Sequence, residues 1–208
     1  MTPSLIGLFG GTFDPIHEGH LSSAEAAMKA HDLSRVIFVP AGDPYLKSDS
    51  PDWDISPAEY RVEMVRLALE HHGNSRFELS EMETQREGPS YTLDTARLLS
   101  VANPQSEVVV ILGMDAVLGM PLWKDPTSLL SEFKILAITR PGFDKSELPK
   151  LSLNNEPNAI EIVDANTPDI SASADRTVRL GCGMTRGVGA GPWMMLRSSQ
   201  TVLPHHVC

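Results

Sequence analysis

The chain has 208 residues, 41% of them apolar and 21% charged, and its formal net charge at pH 7 is −10. This length and composition are typical of one globular domain. The acidic balance argues against a nucleic-acid partner or an anionic membrane, since both require a basic face. The two cysteines, Cys182 and Cys208, show no metal-ligand spacing, so a disulfide framework or a zinc site is not indicated.

Targeting segments are not indicated by the sequence either. No stretch reaches the roughly 18 apolar residues that a membrane span requires. Residues 1–11 hold one short apolar run and lack the basic start of a secretion signal. We therefore expect a protein of the reducing cytoplasm with no membrane partner.

Short apolar runs that predict buried strands alternate with segments of helical character. The predicted strands are residues 5–9, 36–39, 108–112, 135–138 and 160–163. The predicted helices are residues 21–30, 57–70, 92–100 and 126–131. This alternation favours βαβ units, so the expected fold class is α/β with a parallel sheet.

The second predicted helix carries a start signal, and two long loops flank the middle of the chain. Ser56 is expected to cap this helix, with Pro57 as its first residue and Glu59 completing a capping box. Residues 41–56 and 141–158 are loops long enough to act as lids. The expected domain is 1–181, and the glycine-rich residues 182–208 form a poorly packed tail or, as an alternative, a binding tail.

A glycine turn and two histidines follow the first predicted strand directly. The segment reads Gly10-Gly11-Thr12-Phe13-Asp14-Pro15-Ile16-His17-Glu18-Gly19-His20. Ligands of a parallel sheet bind at the carboxyl ends of its strands, where the N-terminus of the next helix favours a phosphate. Glycines let the backbone approach that phosphate closely, and two histidines three residues apart can turn both rings towards it.

Each of these features alone has a simpler explanation. A histidine near a helix start is usually a cap or a solvated side chain, and a glycine pair is usually a turn. Together, at this spacing and position, they favour a phosphate site. The segment matches neither the dinucleotide fingerprint nor the P-loop, because it lacks the glycine spacing of the first and the final Gly-Lys-Ser/Thr of the second.

The segment resembles the HxGH signature of the nucleotidyltransferase superfamily, and its form is most similar to bacterial nicotinate-nucleotide adenylyltransferases. The resemblance covers residues 5–181 and implies a Rossmann-like parallel sheet with helices on both faces. It also implies ATP with Mg²⁺ as donor and nicotinate mononucleotide as acceptor. The products would be deamido-NAD and pyrophosphate, in NAD biosynthesis.

The resemblance assigns an ATP site to residues from several parts of the chain. They are Gly10, Gly11, Thr12, Phe13, His20, Gly113, Asp115, Ser171, Ser173 and Arg176. Gly113 and Asp115 follow a predicted strand at its carboxyl end, where ligand groups belong. Residues 170–176 resemble the second signature of the family, although Asp175 stands where an aliphatic residue is usual.

The resemblance assigns the acceptor site to Tyr91, Thr92, Trp123 and Lys47. Trp123 would stack on the nicotinate ring, or it could be a core residue. Thr92 lies at a predicted helix start, where it could cap the helix or belong to a segment whose N–H groups bind the nicotinate carboxylate. Lys47 would meet phosphates or be a surface residue, and it follows Leu46 where the family often has histidine.

In the implied reaction, the acceptor phosphate attacks the α-phosphorus of ATP in line, and His17, His20, Lys47 and Arg176 carry the growing negative charge. No residue is expected to act as a nucleophile or to bind a metal directly. Four alternatives remain open: nicotinamide mononucleotide or phosphopantetheine as acceptor, cytidylyl transfer, and an ATP-binding module with weak catalysis. The choice between nicotinate and nicotinamide depends on the Thr92 region.

Overall fold

The computed structural model of the chain describes residues 3–43, 55–139 and 160–165. The roles expected for Lys47, Ser171, Ser173 and Arg176 therefore lie outside the described residues. The same holds for Asp175 and for the tail predicted at 182–208.

Parallel strands form one sheet in the described part of the chain. The strands are β1 Ser4–Gly11, β2 Arg35–Pro40, β3 Phe77–Leu79, β4 Ser106–Gly113, β5 Lys134–Thr139 and β6 Ile160–Asp164. Their order in the sheet is β3-β2-β1-β4-β5-β6, with every neighbouring pair parallel. The chain direction across the sheet therefore reverses between β1 and β4, and all carboxyl ends lie along one edge.

Helices connect the strands and cover the sheet. They are α1 Glu18–His31, α2 Ala58–His72, α3 Thr92–Ala102, α4 Met114–Gly119 and α5 Pro126–Glu132, with a 3-10 turn at Met120–Leu122. In the described ranges, none of these helices is both long and apolar enough to cross a membrane.

The core consists of two apolar clusters, one on each face of the sheet. In β4, Val108 and Val110 pack with α3, α4 and α5, whereas Val109 and Ile111 pack with α1 and α2. Both faces of the strands are thus buried, which is why each strand reads as a continuous apolar run. The predicted parallel sheet with helices on both faces is confirmed.

The structure adds β3 and α4, which were not predicted from the sequence, and corrects the predicted starts of α1 and α2. β3 has only three residues, and α4 has six and follows β4 without a break, so neither leaves a periodic signal. The predicted cap at Ser56 is wrong, because Pro57 is the N-cap of α2 and makes no side-chain cap bond. The backbone of Ser56 is engaged elsewhere, since its N–H donates to Asp14 Oδ2 at 2.8 Å.

The side chains of Lys134 and His31 contact the Glu161 carboxylate on the outer strand β6. The Lys134 ammonium pairs with one carboxylate oxygen, and His31 Nε2 lies 3.1 Å from the other. The hydrogen bond from Lys134 is the main cause that lowers the pKa of Glu161 from its ordinary 4.5, against the opposing effect of desolvation. His31 adds to the lowering.

We expect Glu161→Gln to make stability less sensitive to acid. A lowered folded-state pKa contributes stability that is fully present above the unfolded value near 4.5 and is lost as the pH falls through the folded value. The melting temperature of the wild type should therefore fall more steeply than that of the variant below about pH 4.5. Thermal unfolding at a series of pH values, with the exposed strand residue in Glu107→Gln as control, measures the difference. Parallel profiles for wild type and Glu161→Gln would contradict it.

Candidate active site

The site is built at the carboxyl edge of the sheet, where the strand order reverses. β1 and β4 are adjacent there, with Phe9 paired to Ile111, so Gly10 and Gly11 end beside Gly113. In open α/β sheets the crevice at this reversal is where ligands bind. The glycines predicted to border ATP, at the ends of β1 and β4, thus lie side by side at one edge of the sheet.

The two histidines of the first loop are neighbours in space. His17 is the N-cap of α1, with an extended backbone, and His20 lies in the first turn of the same helix. Their ring centroids are 3.8 Å apart and their planes are 31° from parallel. This arrangement is consistent with the expectation that both rings face the same bound group. The helix itself begins three residues earlier than predicted.

A backbone hydrogen bond determines which nitrogen of His20 can donate. The N–H of His17 donates to His20 Nδ1 at 3.2 Å. Because Nδ1 accepts this hydrogen bond, the proton of the neutral ring is on Nε2. The fold therefore makes Nε2 of His20 a hydrogen-bond donor.

The buried ring of Phe13 packs against the ring of His20. Its side chain is 2% exposed, and its ring meets the His20 ring edge-on with a centroid distance of 5.1 Å. Its φ of 48° lies in the left-handed region, which is strained for a bulky residue and occurs most often at functional sites. A Cβ at Gly11 would approach the Phe13 ring to 3.0 Å, whereas the space beside Gly10 is open. Gly11 thus makes room for the ring, and Gly10 leaves room for a ligand.

Two of the predicted acceptor residues, Tyr91 and Thr92, lie at the start of α3. Tyr91 is the N-cap of α3 and Thr92 its first residue, so the prediction of Thr92 as cap is wrong by one position. The Tyr91 side chain makes no cap bond. The ammonium of Lys124, which follows Trp123, lies 4.0 Å above the Tyr91 ring. This contact places Trp123 and its neighbour beside the N-terminus of α3.

Trp123 is partly in the core and partly exposed. It follows the 3-10 turn, is partly buried and packs against the cluster formed with α3, α4 and α5. One part of the indole is therefore core, and the exposed remainder is available at the surface. Packing of this kind holds an aromatic plane in a fixed orientation.

Gly113 and Asp115 lie at the junction of β4 and α4. Gly113 is the N-cap of α4, and Asp115 is exposed in the first turn. A Cβ on Gly113 would come within 2.7 Å of Asp115 Oδ1, so glycine allows the carboxylate to fold back over the strand end. Within the described ranges, no three His, Cys, Asp or Glu residues form a group that could hold a metal ion.

Arg61 carries a buried charge beside the first loop that was not predicted from the sequence. Arg61 is 1% exposed, and Asp14 and Glu83 are each 6% exposed. Burial lowers the pKa of Arg61, and the carboxylates of Asp14 and Glu83 oppose that effect. A signal was present, because Arg61 lies four residues before Val65 on the stripe of α2 that faces the core.

Comparison with known proteins connects this site to a family. A family model described as cytidylyltransferase-like matches residues 8–178. A Moorella thermoacetica protein named a probable nicotinate-nucleotide adenylyltransferase is 46% identical over 147 residues, which cover 70% of this chain and 65% of that protein. A Rubrobacter xylanophilus protein of the same name is 42% identical over 173 residues, which cover 82% of this chain and 78% of that protein.

A solved structure shares the fold. It is a Plasmodium falciparum nicotinic acid mononucleotide adenylyltransferase complexed with NaAD, with a TM-score of 0.65 and 19% identity over 84% of this chain and 83% of that chain. The matched part of this chain spans slightly less than two thirds of the Moorella relative. The resemblance to bacterial nicotinate-nucleotide adenylyltransferases is confirmed by the sequence relatives.

Proposed function

Because this chain belongs to the cytidylyltransferase-like family, we propose that it transfers AMP from ATP to nicotinate mononucleotide, giving deamido-NAD and pyrophosphate in NAD biosynthesis. The observation that carries the proposal is the paired His17 and His20 at the N-terminus of α1, beside the reversal of strand order. The names of the sequence relatives support the same activity. We place the reaction in the cytoplasm, because a chain with two cysteines lacks the disulfide framework that is common in secreted proteins.

ATP would bind over the end of β1 and the start of α1. Gly10 leaves the backbone open to a phosphate, and the N–H groups and positive end of α1 favour an anion there. His20 Nε2 donates to a phosphate oxygen, and His17 lies against it. Phe13 contributes through its backbone and by supporting His20, since its side chain is buried.

The other proposed phosphate and nucleotide contacts come from the first loop, from the end of β4, from Lys47 and from the second signature at residues 170–176. Thr12 lies in the first loop, and Gly113 and Asp115, at the junction of β4 and α4, would border the nucleotide. The resemblance supports Lys47, Ser171, Ser173 and Arg176 as further phosphate ligands, of which Lys47 and Arg176 would carry charge in the transition state.

Nicotinate mononucleotide would bind between the start of α3 and Trp123. The nicotinate carboxylate would meet the N–H groups at Tyr91 and Thr92, since the first turn of a helix has free donors. Trp123 would stack on the pyridine ring. The Lys124 ammonium, which lies over the Tyr91 ring and 3.8 Å from Asp94 Oδ2, would add positive charge near the carboxylate. This arrangement favours nicotinate over the neutral nicotinamide.

The chemical step is an in-line displacement at the α-phosphorus of ATP. An oxygen of the acceptor phosphate forms a new bond to that phosphorus, and the bond from the α-phosphorus to the bridging oxygen breaks, so that pyrophosphate leaves with the electron pair. The acceptor phosphate is already an anion at neutral pH, so the protein needs no nucleophile. Its contribution is to position the two reactants and to stabilise the developing charge, which His17 and His20 provide from α1.

Divalent metal would enter with the donor nucleotide. Mg²⁺ prefers oxygen ligands and is usually held through substrate phosphates and few protein carboxylates, which suits a site with exposed carboxylates at Asp115 and Glu18. When bound to the ATP phosphates it supplies positive charge that offsets the polyphosphate.

Trp123→Ala should weaken acceptor binding more than ATP binding. Loss of stacking and of the buried ring area should raise KM for nicotinate mononucleotide about tenfold. Leu122→Ala is the matched control, because Leu122 is the adjacent residue and is 79% exposed. Steady-state kinetics with each substrate varied in turn measure the effect. An equal rise in KM for both substrates would argue against stacking.

Labelled ATP tests the reaction class. With label at the α-phosphate, the account predicts label in the dinucleotide product, and with label at the γ-phosphate it predicts label in pyrophosphate. CTP belongs in the same experiment, because the family model is described as cytidylyltransferase-like. Transfer of γ-label to the acceptor, or a preference for CTP, would refute adenylyl transfer.

A further inference from the structure

The guanidinium of Arg61 joins three separate segments of the chain. Its Nε donates to the carbonyl of Ser56 at 2.9 Å, Nη1 to that of Thr12 at 2.9 Å, and Nη2 to that of Gly42 at 3.2 Å. All three acceptors are backbone carbonyls, and the side chain is 1% exposed. Arg61 is therefore a fixed internal link between the loops that follow β1 and β2 and the start of α2.

One of these segments belongs to the ATP side of the site. Thr12 lies in the loop that leads from β1 to His17 and His20. The same loop is tied a second time, because Asp14 accepts a hydrogen bond from the N–H of Ser56 at 2.8 Å. The histidine loop is thus fastened to the start of α2 at two points.

Another segment leads to the acceptor side. The N–H of Gly42 donates to Ser90 Oγ at 3.2 Å, and the N–H of Ser90 donates to the carbonyl of Asp43 at 3.2 Å. Ser90 immediately precedes Tyr91, the N-cap of α3. Through Gly42, the guanidinium of Arg61 is therefore two hydrogen bonds from the segment proposed to bind nicotinate.

Nearby carboxylates favour the charged form of Arg61. Burial lowers the pKa of Arg61, but Asp14, Glu83 and Glu59 favour its charged form. Glu83 is held in turn by Thr95 of α3, whose hydroxyl donates to it at 2.6 Å. A planar guanidinium can reach three carbonyls in different directions, which the single ammonium of lysine cannot.

We propose that Arg61 is a positioning residue that holds two loops at the separation needed for transfer. One is the loop from β1 to His17 and His20, and the other is the loop that ends at Ser90 before α3. The effect of Arg61 on catalysis rests on the proposed function, whereas its effect on the two loops does not. Because a displacement of about 1 Å can cost about 10²-fold in rate, a loss of this link should reduce turnover while each substrate still binds.

Arg61→Lys tests the link with the charge retained. The expected result is a fall in kcat of about 10²-fold, with the Kd of ATP and of nicotinate mononucleotide changed less than about threefold. Arg66→Lys is the matched control, because Arg66 lies on the same helix but is exposed and pairs with the surface residues Glu63 and Glu81. A kcat per folded molecule within about threefold of wild type would overturn the proposal.

Amide hydrogen exchange tests, independently of activity, whether Arg61 fastens the segments at Gly42 and Ser56. The amides of Gly42 and Ser56 should exchange at least about tenfold faster in Arg61→Lys than in wild type or Arg66→Lys, because their segments lose the guanidinium. Unchanged exchange at both amides would overturn the proposal. If the wild type transfers AMP to no acceptor, the proposed function fails, and exchange still tests Arg61.

A second variant covers the case in which Arg61→Lys does not fold. Ser90→Ala removes the hydroxyl that accepts from Gly42 and leaves every buried charge in place. It should lower kcat about fivefold and leave the Kd of ATP unchanged, since one neutral hydrogen bond contributes about 1 kcal/mol. An unchanged kcat in this variant would overturn the proposal.

Discussion

His20→Ala is expected to lower the turnover of pyrophosphate release by about 10²–10³-fold. The physical reason is the loss of a donor that the fold has oriented, since the backbone N–H of His17 occupies Nδ1 and leaves the proton on Nε2. Such a donor acts on charge that grows in the transition state, so kcat should fall more than ATP affinity. Single-turnover and steady-state pyrophosphate assays measure the change.

The control for this variant is a histidine far from the site. His71 is exposed in the last turn of α2, and His71→Ala should leave turnover within about twofold of wild type. Both variants should keep the melting temperature close to that of the wild type. Turnover like that of the wild type in folded His20→Ala would remove the paired histidines from the mechanism.

Gly42→Ala is expected to cost about 3 kcal/mol of stability, at the upper end of the usual range for overpacking. A Cβ at this position would lie 2.3 Å from the carbonyl oxygen of Glu83 and 2.9 Å from its carbon. Both are backbone atoms, so no side chain can rotate away to make room. The melting temperature should fall by about 10 °C, measured by calorimetry.

Gly119→Ala is the matched control for this prediction. Gly119 has φ −80° and ψ −9°, which alanine adopts readily, and a Cβ there would meet nothing within 4 Å. Its melting temperature should be unchanged or slightly raised. Equal melting temperatures for the two alanine variants would contradict close packing between the loops after β2 and β3.

The sheet could be predicted from the sequence because its signal is local. Buried parallel strands appear as continuous apolar runs, and five of the six described strands have one. β3 does not, since it has three residues and only Phe77 among them is buried. The short α4 was missed for a related reason, because six residues are too few for a helical period.

The pairing of His17 and His20 could be predicted because it depends on residues that are close together in the chain. The hydrogen bonds of Arg61 could not be predicted in this way. Spacing along the chain is enough to bring His17 and His20 together once a helix begins between them. The role of Arg61 depends on carbonyls from residues 12 and 42, which only the fold brings to it. The caps predicted at Ser56 and Thr92 were each one residue too early or too late, which is the usual precision of a helix boundary.

The measurement that tests the central claim most directly is pyrophosphate release from ATP and Mg²⁺, with nicotinate mononucleotide, nicotinamide mononucleotide and phosphopantetheine compared at equal concentration. The account predicts the highest kcat/KM with nicotinate mononucleotide, by at least about tenfold, because the start of α3 and Lys124 favour a carboxylate. Release with none of the three acceptors, from folded protein that still binds ATP, would contradict the account and leave an ATP-binding module.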